Sequence, residues 1–316
     1  MTKKALSTQK ITTKEDALKL LNHYDHFLFD CDGVIWLGPD IIPGAAELIE
    51  HLTKLNKSYA FVTNNSSVSR ENYMKKFEKL GIPNVAKNLI FPSCYAAALI
   101  LKRDLKIPEG SKVWVLGDEG IETELKEAGY VPVGGNDPAL DDAWSPDHPL
   151  LHVDEDVKAV VVGSTKKFNY MRVSTTLQYL LHKNRSIPFI GTNIDRTYPG
   201  PNGTTLPAGG SVVFYMKFTA DRDFIDVGKP SSRLLDSILK NCSFDRSKTL
   251  MVGDTLYTDV KFGNDGKLGG EAGSSLLVLS GGTSQEEVDQ LDGADPSTVP
   301  SYYIESVGHL VDLLRG

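Results

Sequence analysis

Short apolar runs recur along the chain, and stretches with helical spacing of apolar residues separate most of them. Each run ends in small or polar residues, and the runs predict strands at 27–29, 59–62, 112–116, 158–162, 188–190, 224–227, 249–252 and 275–279. The intervening pattern predicts helices at 45–55, 69–80, 120–128, 169–181 and 231–241. Because strands that alternate with helices form mainly parallel sheets, we expect an α/β protein with a Rossmann-like, doubly wound parallel sheet.

The spacing of the strand ends indicates where a second domain is inserted. Asp30 and Thr63 are 33 positions apart, which leaves room for one crossover helix. Thr63 and Lys229 are 166 positions apart, and the stretch between them has at least three further strand signals. We therefore predict a core of residues 1–107 and 222–316 and an inserted α/β cap domain at 108–221. The stretch 136–156, rich in Pro, Asp and His, is predicted to be a surface loop.

Composition narrows the range of partners. The chain is 41% hydrophobic and 24% charged, which is typical of a globular enzyme. Its net charge of −7 argues against nucleic acid, which favours a basic face. No apolar run approaches the length of a membrane span, so no membrane partner is expected. The three cysteines lack the spacing of a metal site or a disulfide framework, and we predict a cytoplasmic location.

The most informative polar cluster is Asp30-Cys31-Asp32-Gly33, directly after the first predicted strand. Open α/β sheets bind their ligands at the carboxyl ends of the strands. Two carboxylates at such an end suit covalent chemistry, in which one attacks an electrophile and the other exchanges a proton. Taken alone, the pattern also occurs in turns and calcium loops.

Two further clusters suit an anionic ligand. Thr63-Asn64-Asn65-Ser66 offers hydroxyl, amide and backbone N–H groups, although an ordinary helix cap uses the same residues. Lys229, between Gly228 and Pro230, is either a fixed charge for phosphate or a solvated lysine in a turn.

The last cluster is Gly253-Asp254-Thr255-Leu256-Tyr257-Thr258-Asp259. Its two carboxylates are the oxygen ligands that Mg²⁺ prefers, and they are also common acids at the start of a helix. Each of the four clusters therefore has a structural alternative when it is considered by itself.

In this order, the four clusters resemble the four motifs of the haloacid dehalogenase superfamily of phosphohydrolases. A closer resemblance, carried by residues 30–36, 61–66 and 302–306, is to the eukaryotic group of 4-nitrophenylphosphatases, phosphoglycolate phosphatases and pyridoxal phosphate phosphatases. In that group the cap lies between the second and third motifs. The resemblance implies a Mg²⁺-dependent phosphomonoester hydrolase that acts on small phosphorylated metabolites, such as 2-phosphoglycolate-like acids, through an aspartyl-phosphate.

The resemblance also implies a role for each matching residue. Asp30 is the expected nucleophile and Asp32 the acid and base. Phosphate is expected to bind Thr63, Asn64, Asn65 and Lys229. The expected Mg²⁺ ligands are Asp30, the backbone carbonyl of Asp32 and Asp254, with Asp259 acting from outside the ligand set.

Two features bear on specificity and local charge. The segment Thr192-Asn193-Ile194-Asp195-Arg196-Thr197-Tyr198 resembles the group's substrate-specificity loop, which makes Asn193 and Tyr198 candidate substrate contacts. Asn and Asp in this segment also suit ordinary turns. Thr255 stands where relatives often carry Arg.

Two other functions use similar residues. One is a phosphoprotein phosphatase on the same fold. The other is a phospho-accepting signalling module, since receivers also use a strand-end Asp, a hydroxyl residue and a Lys. The chain length, Asp32 and the large insertion argue against a receiver. The expected partner is a small phosphorylated metabolite, and a face of the cap would support a homodimer.

Overall fold

The computed structural model describes residues 8–200 and 204–316. Its strands are β1 (Gln9–Lys10), β2 (His26–Phe29), β3 (Trp36–Leu37), β4 (Asp40–Ile41), β5 (Ser58–Thr63), β6 (Ile90–Pro92), β7 (Lys112–Leu116), β8 (Val131–Gly134), β9 (Val157–Val162), β10 (Phe189–Gly191), β11 (Thr197–Pro199), β12 (Thr205–Pro207), β13 (Ile225–Asp226), β14 (Thr249–Gly253), β15 (Ser275–Val278) and β16 (Tyr302–Ile304). Its helices are α1 (Lys14–His23), α2 (Ala45–Lys54), α3 (Arg70–Lys79), α4 (Ser93–Arg103), α5 (Glu119–Glu127), α6 (Tyr170–Arg185), α7 (Gly209–Ala220), α8 (Ser232–Cys242), α9 (Lys261–Asp265), α10 (Gln285–Asp289) and α11 (Val307–Arg315).

The pattern-based predictions of strands and helices are confirmed. Every predicted strand overlaps one of β2, β5, β7, β9, β10, β13, β14 and β15, and the five predicted helices correspond to α2, α3, α5, α6 and α8. The predicted loop 136–156 contains only two short 3₁₀ turns, Pro138–Asp141 and Pro149–Leu151. None of the helices in the described ranges is long and apolar enough to cross a membrane.

The chain divides into two compact units. The first contains the described part of Met1–Thr63, together with Met74–Phe91 and Lys229–Gly316. Its seven-stranded sheet has the order β1-β16-β15-β14-β2-β5-β6. Phe27, Leu28 and Phe29 are consecutive and all buried, as expected where helices cover both faces of a parallel sheet. The predicted α/β fold class is confirmed.

The second unit contains Asn64–Tyr73 and Pro92–Gly228. Its five-stranded sheet has the order β13-β10-β9-β7-β8, and its strands pair in parallel. A core that includes Trp114, Val160 and Leu180 packs on this sheet. An antiparallel hairpin of β11 and β12 also belongs to this unit.

The predicted cap, 108–221, lies within the range Pro92–Gly228 of the second unit. Local contacts explain why the unit extends further. β13 pairs with β10, so the chain beyond 221 joins this sheet. In addition, the buried Glu124 carboxylate accepts hydrogen bonds from the backbone N–H (2.7 Å) and Nε (2.8 Å) of Arg70. That 108–221 acts as a substrate-selecting cap stays a prediction.

The crossover from β2 to β5 holds more than the single helix that its length suggested. Besides α2, it contains a hairpin of β3 and β4 with two residues in each strand. A tight turn leads into this short hairpin. In the turn, the backbone N–H groups of Ile35 and Trp36 both donate to the carbonyl of Cys31, at 2.8 and 3.1 Å. This turn determines where the Asp32 side chain lies.

Candidate active site

Parallel pairing brings the first and fourth motifs to the same edge of the first unit's sheet. β2 and β14 pair in register, with Val252 opposite Phe29. The ladder continues one step further, because the backbone N–H of Asp30 donates to the carbonyl of Val252 at 2.9 Å. Asp30 and Asp254 therefore leave adjacent strands at neighbouring positions.

The Asp254 carboxylate is held in place by donors and by close backbone. It accepts hydrogen bonds from the backbone N–H of Gly282 at 2.6 Å and from the hydroxyl of Thr255 at 3.2 Å. A Cβ atom on Gly33 or Gly281 would overlap this carboxylate, and Gly33 has a φ of +85°. Thr255 thus contributes a hydrogen bond to Asp254.

Asp259 lies in a π-helical turn, Leu256–Val260, that follows β14. One of its oxygens accepts hydrogen bonds from the backbone N–H groups of Asp254 and Thr255, both at 3.1 Å. A Cβ atom on Gly253 would overlap the Asp259 side chain. The Asp259 carboxylate therefore acts in part as an acid at the start of a helical turn, which was the structural alternative considered for this motif. Its other oxygen faces a lysine.

That lysine is Lys229, and it is only 1% exposed. Its Nζ lies 2.6 Å from a carboxylate oxygen of Asp30 and 2.6 Å from one of Asp259. It also donates to the backbone carbonyl of Val62 at 2.9 Å. The alternative of a solvated lysine in a turn is therefore wrong.

The acidic groups fit a small divalent cation. One oxygen from each of Asp30, Asp254 and Asp259 lies within 4.8 Å of the others, and all three residues are buried. Three carboxylates lie together here, and Lys229 forms ion pairs with two of them, Asp30 and Asp259. Buried charges are costly unless they are paired or coordinate a metal. Carboxylate oxygens are the ligands that hard divalent cations prefer.

The pKa values of Asp30, Asp254 and Lys229 are shifted by their burial and by the charges of one another and of Asp259. Burial raises the pKa of Asp30 well above its usual range, although the ammonium of Lys229 opposes the shift. Burial, followed by repulsion from Asp259, raises the pKa of Asp254 to about 7. Burial disfavours the charged form of Lys229, but Asp259 and Asp30 outweigh it and raise the pKa of Lys229. A cation at this position would relieve the repulsion between the carboxylates.

The second carboxylate of the first motif has a different environment. Asp32 is exposed, whereas its neighbour Cys31 is fully buried. The indole Nε1 of Trp36 donates to an Asp32 oxygen at 2.8 Å. Burial, and then the charges of Asp30 and Asp32, raise the pKa of the Cys31 thiol well above its usual value, which agrees with a packing role for this residue.

The residues of the second motif fall on both sides of the boundary between the units. Thr63 is the buried last residue of β5 in the first unit. Asn64 begins a segment of the second unit, and its backbone carbonyl accepts two hydrogen bonds of 2.7 Å, from the hydroxyl of Ser93 and from the side-chain amide of Asn193. Asn193 is 2% exposed.

The rest of this segment is anchored within the second unit. The hydroxyl of Ser66 accepts from the backbone N–H of Ser164 at 3.0 Å and from the hydroxyl of Thr192 at 3.2 Å. The side-chain oxygen of Asn65 accepts from the backbone N–H of Ser67 at 2.9 Å. The capping alternative does not apply to residues 63–66, because the hydroxyl that accepts from the first turn of α3 belongs to Ser69.

The two candidate specificity residues differ in exposure. Tyr198 is 43% exposed on the hairpin of β11 and β12. Asn193 is buried, and its side-chain oxygen accepts from the backbone N–H of Asp195 at 3.2 Å, a turn-forming hydrogen bond. Substrate contacts by Asn193 and Tyr198 stay predictions.

Sequence reasoning missed several groups that support these residues. Ser93 carried no signal, because it stands in an apolar segment that predicts no chemistry. The N–H of Gly282 had one signal, the Gly281-Gly282 pair after a predicted strand. The carbonyl of Val62, which binds Lys229, belongs to the backbone and is independent of side-chain identity.

A parallel sheet that carries an Asp pair, a buried lysine and a second acid pair at its carboxyl edge defines a haloacid dehalogenase-type hydrolase. Comparison with known families agrees, because the model of the haloacid dehalogenase-like hydrolases matches residues 27–131, and a second model of this kind of hydrolase matches residues 226–310. The chain belongs to the haloacid dehalogenase-like hydrolases.

Similar proteins cover almost the whole chain. A 4-nitrophenylphosphatase of Schizosaccharomyces pombe is 38% identical over 96% of this chain and 99% of its own length. Phosphoglycolate phosphatase 1A of Arabidopsis thaliana, a chloroplastic protein, is 37% identical over 97% of this chain and 81% of its own. Among solved structures, a p-nitrophenyl phosphatase from Archaeoglobus fulgidus superposes with a TM-score of 0.74 at 28% identity, over 92% of this chain and 98% of that one.

Proposed function

We propose that this chain is a Mg²⁺-dependent phosphomonoester hydrolase that acts on small phosphorylated metabolites through an aspartyl-phosphate intermediate. The observation that carries the proposal is that one oxygen from each of Asp30, Asp254 and Asp259 lies within 4.8 Å of the others, while the Lys229 ammonium pairs with Asp30 and Asp259. A carboxylate surrounded by a cation site and a lysine is suited to attack an anionic phosphate. The names of the relatives, 4-nitrophenylphosphatase and phosphoglycolate phosphatase, support the same reaction.

The proposed reaction has two steps. In the first, an oxygen of Asp30 forms a bond to phosphorus while the phosphorus–oxygen ester bond breaks, and Asp32 gives its proton to the departing alkoxide. In the second, water attacks the phosphorus, Asp32 takes a proton from that water, and the bond to Asp30 breaks. Inorganic phosphate and an alcohol leave, and both carboxyl groups return to their starting states.

Charge neutralisation is the main task of the other residues. Bound by Asp30, the backbone carbonyl of Asp32 and Asp254, Mg²⁺ would offset the repulsion between the phosphate and the attacking carboxylate. Lys229 adds a fixed positive charge, and Thr63, Asn64 and Asn65 donate hydrogen bonds to phosphate oxygens. Asp259 keeps Lys229 and the backbone of Asp254 in place.

Substrate selection is assigned to the cap, residues 108–221, and in particular to the loop that carries Tyr198. The Tyr198 residue is 43% exposed, which leaves its phenol available to a bound molecule. The favoured substrates are 4-nitrophenyl phosphate and small acids of the 2-phosphoglycolate type. The proposal covers metabolites rather than phosphoproteins, in agreement with the names of the relatives.

The test is a screen of phosphomonoesters by kcat/KM, with Mg²⁺ present and after its removal by chelation. We expect many turnovers with 4-nitrophenyl phosphate, loss of activity without Mg²⁺, and no turnover by Asp30→Asn, because an amide is not a nucleophile here. A single turnover that leaves a long-lived phosphoprotein would indicate a phospho-accepting module. A phosphopeptide hydrolysed faster than every metabolite would replace the metabolite with a protein substrate.

The same proposal extends to location and assembly. The three cysteines are free thiols, which agrees with a cytoplasmic protein. Large apolar side chains are exposed on the second unit, among them Tyr170, Phe214 and Phe218, and a second copy of the chain would cover them in a homodimer. Light scattering of the wild type and of Phe218→Glu tests this, and a monomeric wild type would contradict it.

A further inference from the structure

Trp36 makes a directed contact with the acid of the first motif. Its indole ring is fully buried, yet its Nε1 donates a 2.8 Å hydrogen bond to Oδ1 of the exposed Asp32 side chain. Indole N–H is a donor only. The contact therefore orients one specific oxygen of this carboxyl group, whichever protonation state Asp32 adopts.

The ring that makes this contact is held on several sides. Phe77 packs against it with ring centroids 5.1 Å apart at an interplanar angle of 67°, and the ammonium of Lys76 lies 3.9 Å from the ring centroid. The backbone is fixed as well, since the N–H of Trp36 donates to Cys31 at 3.1 Å and its carbonyl accepts from Gly33 at 2.6 Å. The indole thus provides a rigid donor for a flexible carboxylate.

We propose that Trp36 is a positioning residue for the acid and base step, an inference that rests on the proposed function of Asp32. Because Oδ1 accepts the indole hydrogen bond, the catalytic proton is carried on Oδ2. The rotation of the carboxyl group is restricted, so that Oδ2 keeps one direction towards the leaving group. Trp36 itself touches neither the substrate nor the phosphorus.

A dependence on the leaving group distinguishes this role from a purely structural one. An alkoxide needs a proton when it departs, whereas 4-nitrophenolate is a stable anion and leaves without one. We expect Trp36→Phe to lower kcat/KM for 2-phosphoglycolate, an alkyl ester, on the order of tenfold more than for 4-nitrophenyl phosphate, as suits the loss of one hydrogen bond to a charged group. The kcat/KM ratio is the appropriate measure, because it reports the transition state relative to free enzyme and substrate.

The chain supplies a matched control. Trp114 is also buried, at 3% exposure, and its Nε1 donates a 2.8 Å hydrogen bond to the hydroxyl of Thr176 in the second unit. Trp114→Phe removes an equivalent indole hydrogen bond in the second unit, whereas Asp32 belongs to the first. We expect it to leave the ratio of the two kcat/KM values unchanged, whatever it does to the melting temperature. Equal ratios for wild type, Trp36→Phe and Trp114→Phe would overturn the inference.

Asp32→Asn separates failure of the inference from failure of the proposed function. If Asp32 is the general acid, Asp32→Asn lowers alkyl phosphate hydrolysis on the order of 10²-fold or more, with a smaller effect on 4-nitrophenyl phosphate. A wild type that hydrolyses neither ester refutes the proposed function instead. Should Trp36→Phe fold poorly, a benzothienyl analogue of tryptophan at position 36 keeps the ring shape and removes the N–H, and the same change in ratio is expected.

Discussion

The side-chain amide of Asn193 donates a 2.7 Å hydrogen bond to the backbone carbonyl of Asn64, within the second unit. The hydroxyl of Ser93 binds the same carbonyl at the same distance. Because a trans peptide is planar, fixing the carbonyl of Asn64 also fixes the direction of the N–H of Asn65 on the opposite side. Asn193 thereby orients part of the segment that is proposed to bind phosphate.

This relationship gives the first prediction. Phosphate is common to all substrates, so we expect Asn193→Ala to lower kcat/KM by a similar factor for 4-nitrophenyl, glycerol and glycolate phosphates, and to weaken inhibition by inorganic phosphate. The matched control is Asn169→Ala, which removes the amide that caps α6 in the same unit and should leave phosphate inhibition unchanged. Factors that differ widely between substrates would instead indicate a direct contact between Asn193 and the leaving group.

Lys229 gives the second prediction. We expect Lys229→Ala to lower the rate on the order of 10²-fold or more, since it removes a fixed charge that faces the transferring phosphoryl group. It should also destabilise the protein by about 3–5 kcal/mol, because the buried Asp30 and Asp259 lose their partner. Denaturant unfolding and steady-state kinetics measure the two effects.

Lys57→Ala is the control for that substitution. The Lys57 side chain is 15% exposed and its ammonium binds Asp25 at 2.7 Å, also in the first unit. Its removal should leave kcat within about twofold of wild type, because the residue lies outside the acidic cluster. A Lys229→Ala enzyme as fast as Lys57→Ala would contradict the role assigned to Lys229.

The third prediction concerns the metal and has a readout apart from activity. An ion that binds only the folded state stabilises it, by about 2.7 kcal/mol at 100 times its dissociation constant. We expect Mg²⁺ to raise the melting temperature of the wild type and to have little effect on Asp254→Asn. Without metal, Asp254→Asn should be at least as stable as the wild type, because one of three buried, mutually repelling carboxylates is gone.

Asp265→Asn provides the control, since Asp265 is an exposed acid that binds Lys261 at 2.9 Å. It should keep the full Mg²⁺ effect. The same increase in melting temperature for wild type and Asp254→Asn would place the stabilising ion elsewhere.

The fourth prediction concerns pH. Burial, with a contribution from Asp195, raises the pKa of Asp226 to about 7, well above the usual range of a carboxyl group. The folded state therefore binds this proton more tightly than the unfolded state, and the contribution of Asp226 to stability falls as the pH rises from about 4 through 7. Asp226→Asn removes the ionisation while keeping an oxygen that can accept from the N–H of Gly228.

We therefore expect Asp226→Asn to gain stability relative to the wild type between pH 5 and 8, as measured by melting temperature at each pH. Asp223→Asn is the control, because an ion pair with Lys217 lowers the pKa of Asp223. That control should show no gain over the same range. Parallel pH profiles for wild type and Asp226→Asn would refute the prediction.

Two helices show why part of the fold escaped prediction. α4 has eight buried residues among its eleven, so it lacks the alternation of faces that identifies a helix at the protein surface. α7 combines buried Val213 and Met216 with exposed Phe214 and Phe218, and therefore has no clear polar face. Amphipathic α2 and α8 were predictable, because one face of each is buried and the other is exposed.

The sequence by itself determined the α/β class, the order of the main elements and the four motif positions. These depend on local properties, namely hydrophobic period, turn chemistry and spacing, which a linear chain carries. Tertiary structure alone decided which groups support the motifs, such as the Asn193 amide on Asn64, the Gly282 N–H on Asp254 and the Ser93 hydroxyl on Asn64. The ion pair of Lys229 with Asp30 joins residues 199 positions apart. Such contacts arise only when β-strand pairing and helix packing bring distant segments together, so no local pattern encodes them.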